Sequence, residues 1–202
     1  MFDTNARRVK ERVFYPLAVW LQWAPPQGVT WLAWLWGMGT AVLLTQQQYG
    51  WALLFWFLNR LFDGLDGMVA RLTNRQTDLG GYLDIVLDFV VYAAVPIGLV
   101  LGAATPVRYV ALVALLAVFY VNGASWMYLA AILEKRQHGA AARGEKTTVT
   151  MPPGLIGGVE TILFYSAFIL FPGQMVLLFA VMAGLTAVTI GQRLVWAYRW
   201  LQ

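Results

Sequence analysis

Four aspartates within one short stretch of the sequence have the type and spacing to bind a hard cation. Asp63 and Asp66 lie three residues apart, and Asp84 and Asp88 lie four apart. At helical periodicity each pair falls on one face of its helix. Oxygen ligands of this kind favour Mg²⁺, Mn²⁺ or Ca²⁺. Because Mg²⁺ usually bridges a few carboxylates to substrate phosphates, this aspartate motif predicts a ligand that carries phosphate.

Residues beside the aspartate motif suit the same chemistry. Gly67, Ala70 and Gly80 are small and would leave space next to the carboxylates. Arg71 offers a planar fork of donors that matches phosphate oxygens. These four residues therefore favour a binding site for a phosphorylated ligand.

Two other interpretations of the aspartates stay open at this point. They could form ion pairs with arginines near a helix end, namely Arg60, Arg71 and Arg75. They could also mark the ion pathway of a channel or transporter, as acidic residues within membrane segments often do. A carrier would more typically show paired repeats or interrupted helices, and the sequence shows neither.

The elements that must position the aspartates are apolar helices. The chain has 202 residues, of which 60% are hydrophobic and 12% are charged, whereas soluble domains average about 45–50% and about 25%. Cysteine is absent and His138 is the single histidine, which excludes disulfides and histidine-cluster metal sites. Six apolar stretches have about the length of a membrane-spanning helix: residues 28–46, 50–72, 80–103, 106–133, 152–171 and 174–198.

The predicted fold is an all-α integral membrane protein with six transmembrane helices preceded by an N-terminal interfacial amphipathic helix. Residues 1–25 form that interfacial helix, because basic residues are followed by Trp20 and Trp23. Residues 28–198 form a six-helix bundle, and residues 1–202 form one domain. No cleaved leader is expected, since a small-residue cleavage site is missing.

The distribution of lysine and arginine predicts the orientation. If the N-terminus lies in the cytoplasm, the outer turns hold only Arg108, and both termini and the aspartate motif face the cytoplasm. The basic residues then collected at the inner ends are Arg7, Arg8, Lys10, Arg12, Arg71, Arg75, Lys135, Arg136, Arg143, Lys146 and Arg199.

The stretch around the aspartates resembles the signature of the CDP-alcohol phosphotransferase family, D-x2-D-G-x2-A-R-x8-G-x3-D-x3-D. Every fixed position is met within residues 63–88. The surrounding segments LNRLFDGLDG and GGYLDIVLDF are most similar to bacterial inner-membrane members described as phosphatidylglycerophosphate synthase homologues. The resemblance implies a phospholipid-synthesis enzyme of the bacterial inner membrane, with its active site on the cytoplasmic side. Members of the family often form homodimers.

The resemblance implies a reaction and roles for the motif residues. A phosphatidyl or similar group moves from a CDP-linked donor, expected to be CDP-diacylglycerol, to a small alcohol, and CMP leaves. Two divalent cations, Mg²⁺ or Mn²⁺, would be held by Asp63, Asp66, Asp84 and Asp88. Asp88 is the expected general base, although Asp84 could serve instead. The expected nucleotide-binding residues are Gly67, Ala70, Arg71, Gly80 and Thr30, and helix capping is the alternative role of Thr30.

The acceptor site is expected to be cationic. If the acceptor is glycerol 3-phosphate, Lys146 and Arg193 are the candidates to bind its phosphate. Glu160 could orient the acceptor hydroxyl or pair with Arg193. Asn122 is expected to pack between helices. Other acceptors considered are serine, inositol phosphate or another polyol, and a catalytically silent lipid- or cation-binding membrane protein is the alternative function. No nucleic-acid-binding motif is present.

Overall fold

A computed structural model describes residues 14–136 and 154–201 of the chain. Within these ranges the structure is helical and contains no β-strand, so the predicted all-α class is confirmed. A helical segment at residues 14–20 precedes the longer helices. These are α1 (Pro26–Thr45), α2 (Tyr49–Leu72), α3 (Asp78–Gly102), α4 (Pro106–Lys135), α5 (Gly158–Leu170) and α6 (Met175–Trp200), with a 3₁₀ turn at Pro172–Gln174 before α6.

Four of the helices are long and apolar enough to cross a membrane, namely α1, α3, α4 and α6. The chain is therefore an integral membrane protein built from helices. The helix α2 has 24 residues but contains Arg60, Asp63, Asp66 and Arg71, which lower its hydropathy. The helix α5 is apolar but has only 13 residues.

The helices divide into two compact units, residues 1–103 and residues 104–202. In the first unit α1 packs closely against both α2 and α3, while the backbones of α2 and α3 approach each other much less closely. Gly98 and Gly102 permit the contact with α1, because a Cβ atom at either position would meet the carbonyl oxygen of Ala41 or Leu44. Small residues four apart are a common means of close helix packing in membranes.

The segment before α1 packs on the half of α2 that carries the motif. Ala18 and Ala24 form a buried cluster with Leu65, Met68 and Val69 of α2. These three α2 residues are at most 6% exposed. The amphipathic character predicted for residues 1–25 involves residues 1–13, which lie outside the described ranges.

The helix α3 begins just after the turn that joins it to α2. Thr77 is its N-cap, and the Thr77 hydroxyl accepts a hydrogen bond from the Gly80 backbone N–H at 3.0 Å. Thr77 thereby satisfies one of the free N–H groups of the first turn. This cap fixes where α3 starts and hence the height of Asp84 and Asp88 along it.

In the second unit α4 packs along α6. The helix α5 contacts α6 through aromatic rings, with the centroids of Phe168 and Phe179 4.7 Å apart. The predicted span at 152–171 is too long at its start, because α5 begins at Gly158. Two backbone N–H groups just before α5 are bound by side chains of α6 rather than by helical hydrogen bonds. Leu155 donates to Gln192 at 3.1 Å, and Ile156 donates to Thr189 at 2.9 Å.

Candidate active site

Three of the four motif aspartates line one small cavity between α1, α2 and α3. Asp63 comes from α2, and Asp84 and Asp88 come from α3. The cavity lies where these three helices meet, with the backbones of α2 and α3 each closer to α1 than to each other. The remaining lining residues are Thr30, Ala33, Trp34, Asn59, Leu87 and Val91.

Arg60 bridges the two aspartate-bearing helices. Its Nη2 donates to Oδ1 of Asp88 at 2.7 Å, and its Nη1 lies 3.5 Å from Oδ2 of Asp63. Only 8% of the Arg60 side chain is exposed. The ion-pair interpretation therefore holds for two of the aspartates, and one guanidinium offsets part of the charge of the cluster.

Neutral groups fix the position of Arg60. Its Nε donates to Oδ1 of Asn59 at 2.7 Å, and its Nη1 donates to the Tyr92 hydroxyl at 2.8 Å. The guanidinium carbon lies 4.9 Å from the ring centroid of Trp56 and 5.1 Å from that of Tyr92, which are favourable cation–π distances. Asn59 is itself held by its donation to the Ala33 carbonyl at 2.8 Å.

Asp66 is the most buried member of the motif, with 5% of the residue exposed. Its Oδ1 accepts a hydrogen bond from the backbone N–H of Gly67. Its Oδ2 is fully buried and has no hydrogen-bond partner within the described chain. A buried carboxylate oxygen without a donor is costly, and a cation is one group that would satisfy it.

The donor set fits a hard divalent cation in type. Every candidate ligand is a carboxylate oxygen, and Oδ2 of Asp66 has no hydrogen-bond partner among the described residues. Among the residues described, however, no three Asp, Glu, His or Cys side chains have the spacing of a metal site. The contacts of Arg60 with Asp63 and Asp88 give a physical reason, since they engage two carboxylates that such a site would need.

The predicted nucleotide-binding residues lie in different surroundings. Thr30 lines the cavity and does not cap α1, because its hydroxyl donates to the Pro26 carbonyl at 3.2 Å. Arg71 is exposed, and one of its Nη atoms would lie 3.3 Å from a Cβ atom at Gly67. Ala70 is half-buried, and Gly80 lies in the first turn of α3.

The predicted acceptor residues belong to the second unit. Arg193 is buried and donates through Nη1 to Oδ1 of Asn122 at 2.6 Å, while its Nε has no partner in the described residues. Glu160 accepts from the backbone N–H of Gly157 at 3.0 Å and so caps the start of α5. No Glu160–Arg193 ion pair occurs among the described side chains. Lys146 lies outside the described ranges.

Sequence reasoning missed three contacts that organise these groups. Tyr92 follows Asp88 by four residues, a helical spacing that points both side chains the same way. Asn59 precedes Arg60 directly, and nothing in the sequence signals their hydrogen bond. Asn122 was expected to pack but provides the acceptor for Arg193.

Comparison with known proteins gives concordant matches over most of the chain. A sequence profile of the CDP-alcohol phosphatidyltransferase family matches residues 23–191. The inner membrane protein YnjF of Escherichia coli is 40% identical over 147 residues, which cover 73% of this chain and 70% of YnjF.

Similar folds occur among solved structures. The phosphatidylinositol phosphate synthase PgsA1 of Mycobacterium tuberculosis, solved with CDP-DAG bound, matches with a TM-score of 0.69 at 23% identity, covering 91% of this chain and 92% of that one. The same synthase, solved with manganese and citrate, matches with a TM-score of 0.68 at 22% identity over 89% and 86% of the two chains.

The profile match, the identity to YnjF and the complete signature at residues 63–88 agree with one another. Together they identify the chain as a transferase of phospholipid biosynthesis. The chain belongs to the CDP-alcohol phosphatidyltransferase family and is a phosphotransferase enzyme.

Proposed function

We propose that this protein transfers the phosphatidyl group of CDP-diacylglycerol to a small alcohol and releases CMP. The observation that carries the proposal is the convergence of Asp63, Asp84 and Asp88 on one cavity in a chain of this family. The PgsA1 synthase has been solved with CDP-DAG bound, which supports the same class of donor here.

The reaction assigns distinct tasks to the residues of the aspartate motif and to Thr30. The acceptor hydroxyl oxygen attacks the phosphorus of the phosphatidyl group, the bond from that phosphorus to the bridging oxygen breaks, and CMP departs with the electron pair. Asp88 takes the hydroxyl proton as general base, and Asp84 lies one turn away on the same face of α3. Arg71 and the small residues Gly67, Ala70 and Gly80 accommodate the cytidine diphosphate, with Thr30 at the cavity wall.

Divalent cations complete the proposed site. Asp63, Asp66, Asp84 and Asp88 would hold two ions, Mg²⁺ or Mn²⁺, whose charge would offset that of the diphosphate. The PgsA1 synthase has been solved with manganese, and oxygen-only ligands suit either ion.

The proposed acceptor is glycerol 3-phosphate, and Arg193 is the strongest candidate to recognise its phosphate. Arg193 is a buried cation bound to a neutral partner, Asn122, so its charge is not offset by that contact. Lys146 is proposed to assist it. Glu160 is proposed to assist acceptor binding indirectly, through the start of α5 that it caps.

The proposed topology has six crossings, made by α1 to α6 of one domain, with both termini and the motif at the cytoplasmic side of an inner membrane. The inner-membrane relative YnjF and the concentration of basic residues at one side support it. An interfacial helix over residues 1–25 and a homodimer also remain predictions.

The direct test is release of CMP by the purified full-length protein in detergent. CDP-diacylglycerol and Mg²⁺ are supplied with glycerol 3-phosphate, serine, inositol or inositol phosphate in separate reactions. We expect release that depends on the alcohol and is fastest with glycerol 3-phosphate.

The possible outcomes test the proposed donor and the proposed acceptor independently. Release with a different alcohol would retain the donor and the reaction but overturn the proposed acceptor. A protein that neither binds CDP-diacylglycerol nor releases CMP with any alcohol would overturn the proposed function.

A further inference from the structure

Arg60 competes for the atoms that a divalent cation would use. Its guanidinium lies against Oδ1 of Asp88 and Oδ2 of Asp63 at 2.7 and 3.5 Å. A carboxylate oxygen that accepts a charge-assisted hydrogen bond is a weaker metal ligand, because the positive donor already draws on its charge. The guanidinium also repels a second cation placed nearby.

Arg60 has a second set of partners that do not belong to the motif. Asn59 accepts from Nε, Tyr92 accepts from Nη1, and the rings of Trp56 and Tyr92 lie about the guanidinium. These contacts do not require the aspartates. Arg60 can therefore release the carboxylate of Asp88 and still keep its hydrogen bonds to Asn59 and Tyr92 and its contacts with the aromatic rings.

We propose that Arg60 acts as a counter-cation within the aspartate motif. Arg60 holds Asp63 and Asp88 together in the metal-free protein and releases both carboxylates when a divalent cation binds. This inference rests on the proposed function, because the proposed function supplies the premise that divalent cations bind these carboxylates. It assigns Arg60 a positioning role with two consequences: the metal-free protein is stabilised, and the affinity for metal is lowered.

A neutral side chain at position 60 separates these effects. We expect Arg60→Gln to lower the melting temperature in EDTA, because it removes the positive charge that binds the half-buried carboxylates of Asp63 and Asp88. We also expect Mn²⁺ to bind about tenfold more tightly or better, because removal of a nearby positive charge favours a cation. The rise in melting temperature on adding Mn²⁺ should be larger than in the wild-type protein.

The experiment measures Mn²⁺ binding by electron paramagnetic resonance and thermal unfolding with and without Mn²⁺, on the full chain in detergent. Arg75→Gln is the matched control, since it removes one positive charge from an exposed position in the turn after α2 and should respond to Mn²⁺ like the wild type. Tyr92→Phe keeps the charge but removes one contact of Arg60, and it keeps the test decisive if Arg60→Gln does not fold.

We expect Tyr92→Phe to alter the Mn²⁺ affinity, because the position of the guanidinium depends on that hydroxyl. Mn²⁺ binding to the wild type that is abolished by Asp84→Asn would support the proposed metal site. If neither Arg60→Gln nor Tyr92→Phe then changes the Mn²⁺ affinity, the role of Arg60 is overturned and the proposed metal site stands. If Mn²⁺ does not bind the wild type, the proposed metal site fails and this inference fails with it.

Discussion

Asp84 and Asp88 differ in their surroundings although both line the cavity on the same face of α3. Asp88 is bound to Arg60 at 2.7 Å, whereas Asp84 is not part of that ion pair. Asp84→Asn therefore removes a carboxylate from the cavity without removing either partner of the contacts that Arg60 makes with Asp88 and Asp63. At the scale of single residues, Asp84 is thus the most direct probe of the proposed chemistry.

We expect Asp84→Asn to reduce CMP release by at least about a hundredfold while the melting temperature changes by only a few degrees. Asparagine has nearly the same size but lacks the charge. The control is Asp78→Asn, an acidic residue in the exposed first turn of the same helix, which should retain near-normal turnover. Wild-type rates for Asp84→Asn would remove this residue from the active site.

Arg193 is the residue at which the proposed acceptor site can be tested. Arg193→Gln should raise the KM for a phosphorylated acceptor about 10-fold to 100-fold, since a hydrogen bond to a charged group contributes about 1.5–3 kcal/mol. Arg199→Gln is the control, because Arg199 is exposed in the last turn of α6. Lys146→Ala should act in the same direction as Arg193→Gln. An equal rise in the KM for the lipid donor would argue against a specific acceptor role.

At the scale of helices, the position of the motif depends on how closely α1 approaches α3. Gly98 and Gly102 lie against backbone carbonyls of α1, and Gly37 of α1 lies against Val91 of α3 and Asn59 of α2. Backbone atoms cannot move aside as a flexible side chain can. The spacing of the cavity walls is therefore sensitive to single methyl groups at these glycines.

We expect Gly98→Ala to destabilise the protein by about 1–3 kcal/mol, the usual cost of inserting a methyl group into a filled contact. The measurement is thermal unfolding in detergent. Gly184→Ala is matched, because it adds the same methyl group within a helix where no described atom lies within 4 Å of it, and alanine favours helix over glycine by about 1 kcal/mol. Equal losses in both variants would contradict the packing argument.

The elements could be predicted from sequence where their ends carry a clear signal. The helix α4 begins at Pro106, as predicted, because proline suits the first turn of a helix. The start of α5 could not be predicted, because its apolar residues continue a run that begins earlier in the sequence. The backbone before α5 is held by the side chains of Gln192 and Thr189, and these tertiary contacts leave no signal in the sequence. The motif aspartates could be predicted from spacing, but the contribution of Asn59 and Tyr92 depends on tertiary contacts.

At the scale of the whole molecule, the charge distribution carries the proposed orientation. The chain has a net charge of +4, and its basic residues concentrate at the ends that the six-crossing topology assigns to the cytoplasm. The chain also has no cysteine, so any single cysteine introduced into it is the only site for a thiol reagent.

This absence of cysteine makes the orientation directly testable. We expect Gln76→Cys, in the exposed turn between α2 and α3, to react with a membrane-impermeant maleimide in inside-out vesicles but not in intact spheroplasts. Ala104→Cys, in the turn between α3 and α4, should show the reverse pattern. Labelling of both from the same side would contradict a crossing by α3.

The short helix α5 has a consequence for the bilayer around it. Its 13 residues extend about 20 Å at 1.5 Å per residue, whereas the hydrocarbon layer is about 30 Å thick. Just before α5, the N–H groups of Leu155 and Ile156 are bound by side chains of α6 rather than by helical hydrogen bonds. In the proposed topology, in which α5 crosses the membrane, the bilayer next to α5 would thin to match its length. This thinning would bring water nearer to the midplane and shorten the path for a polar alcohol.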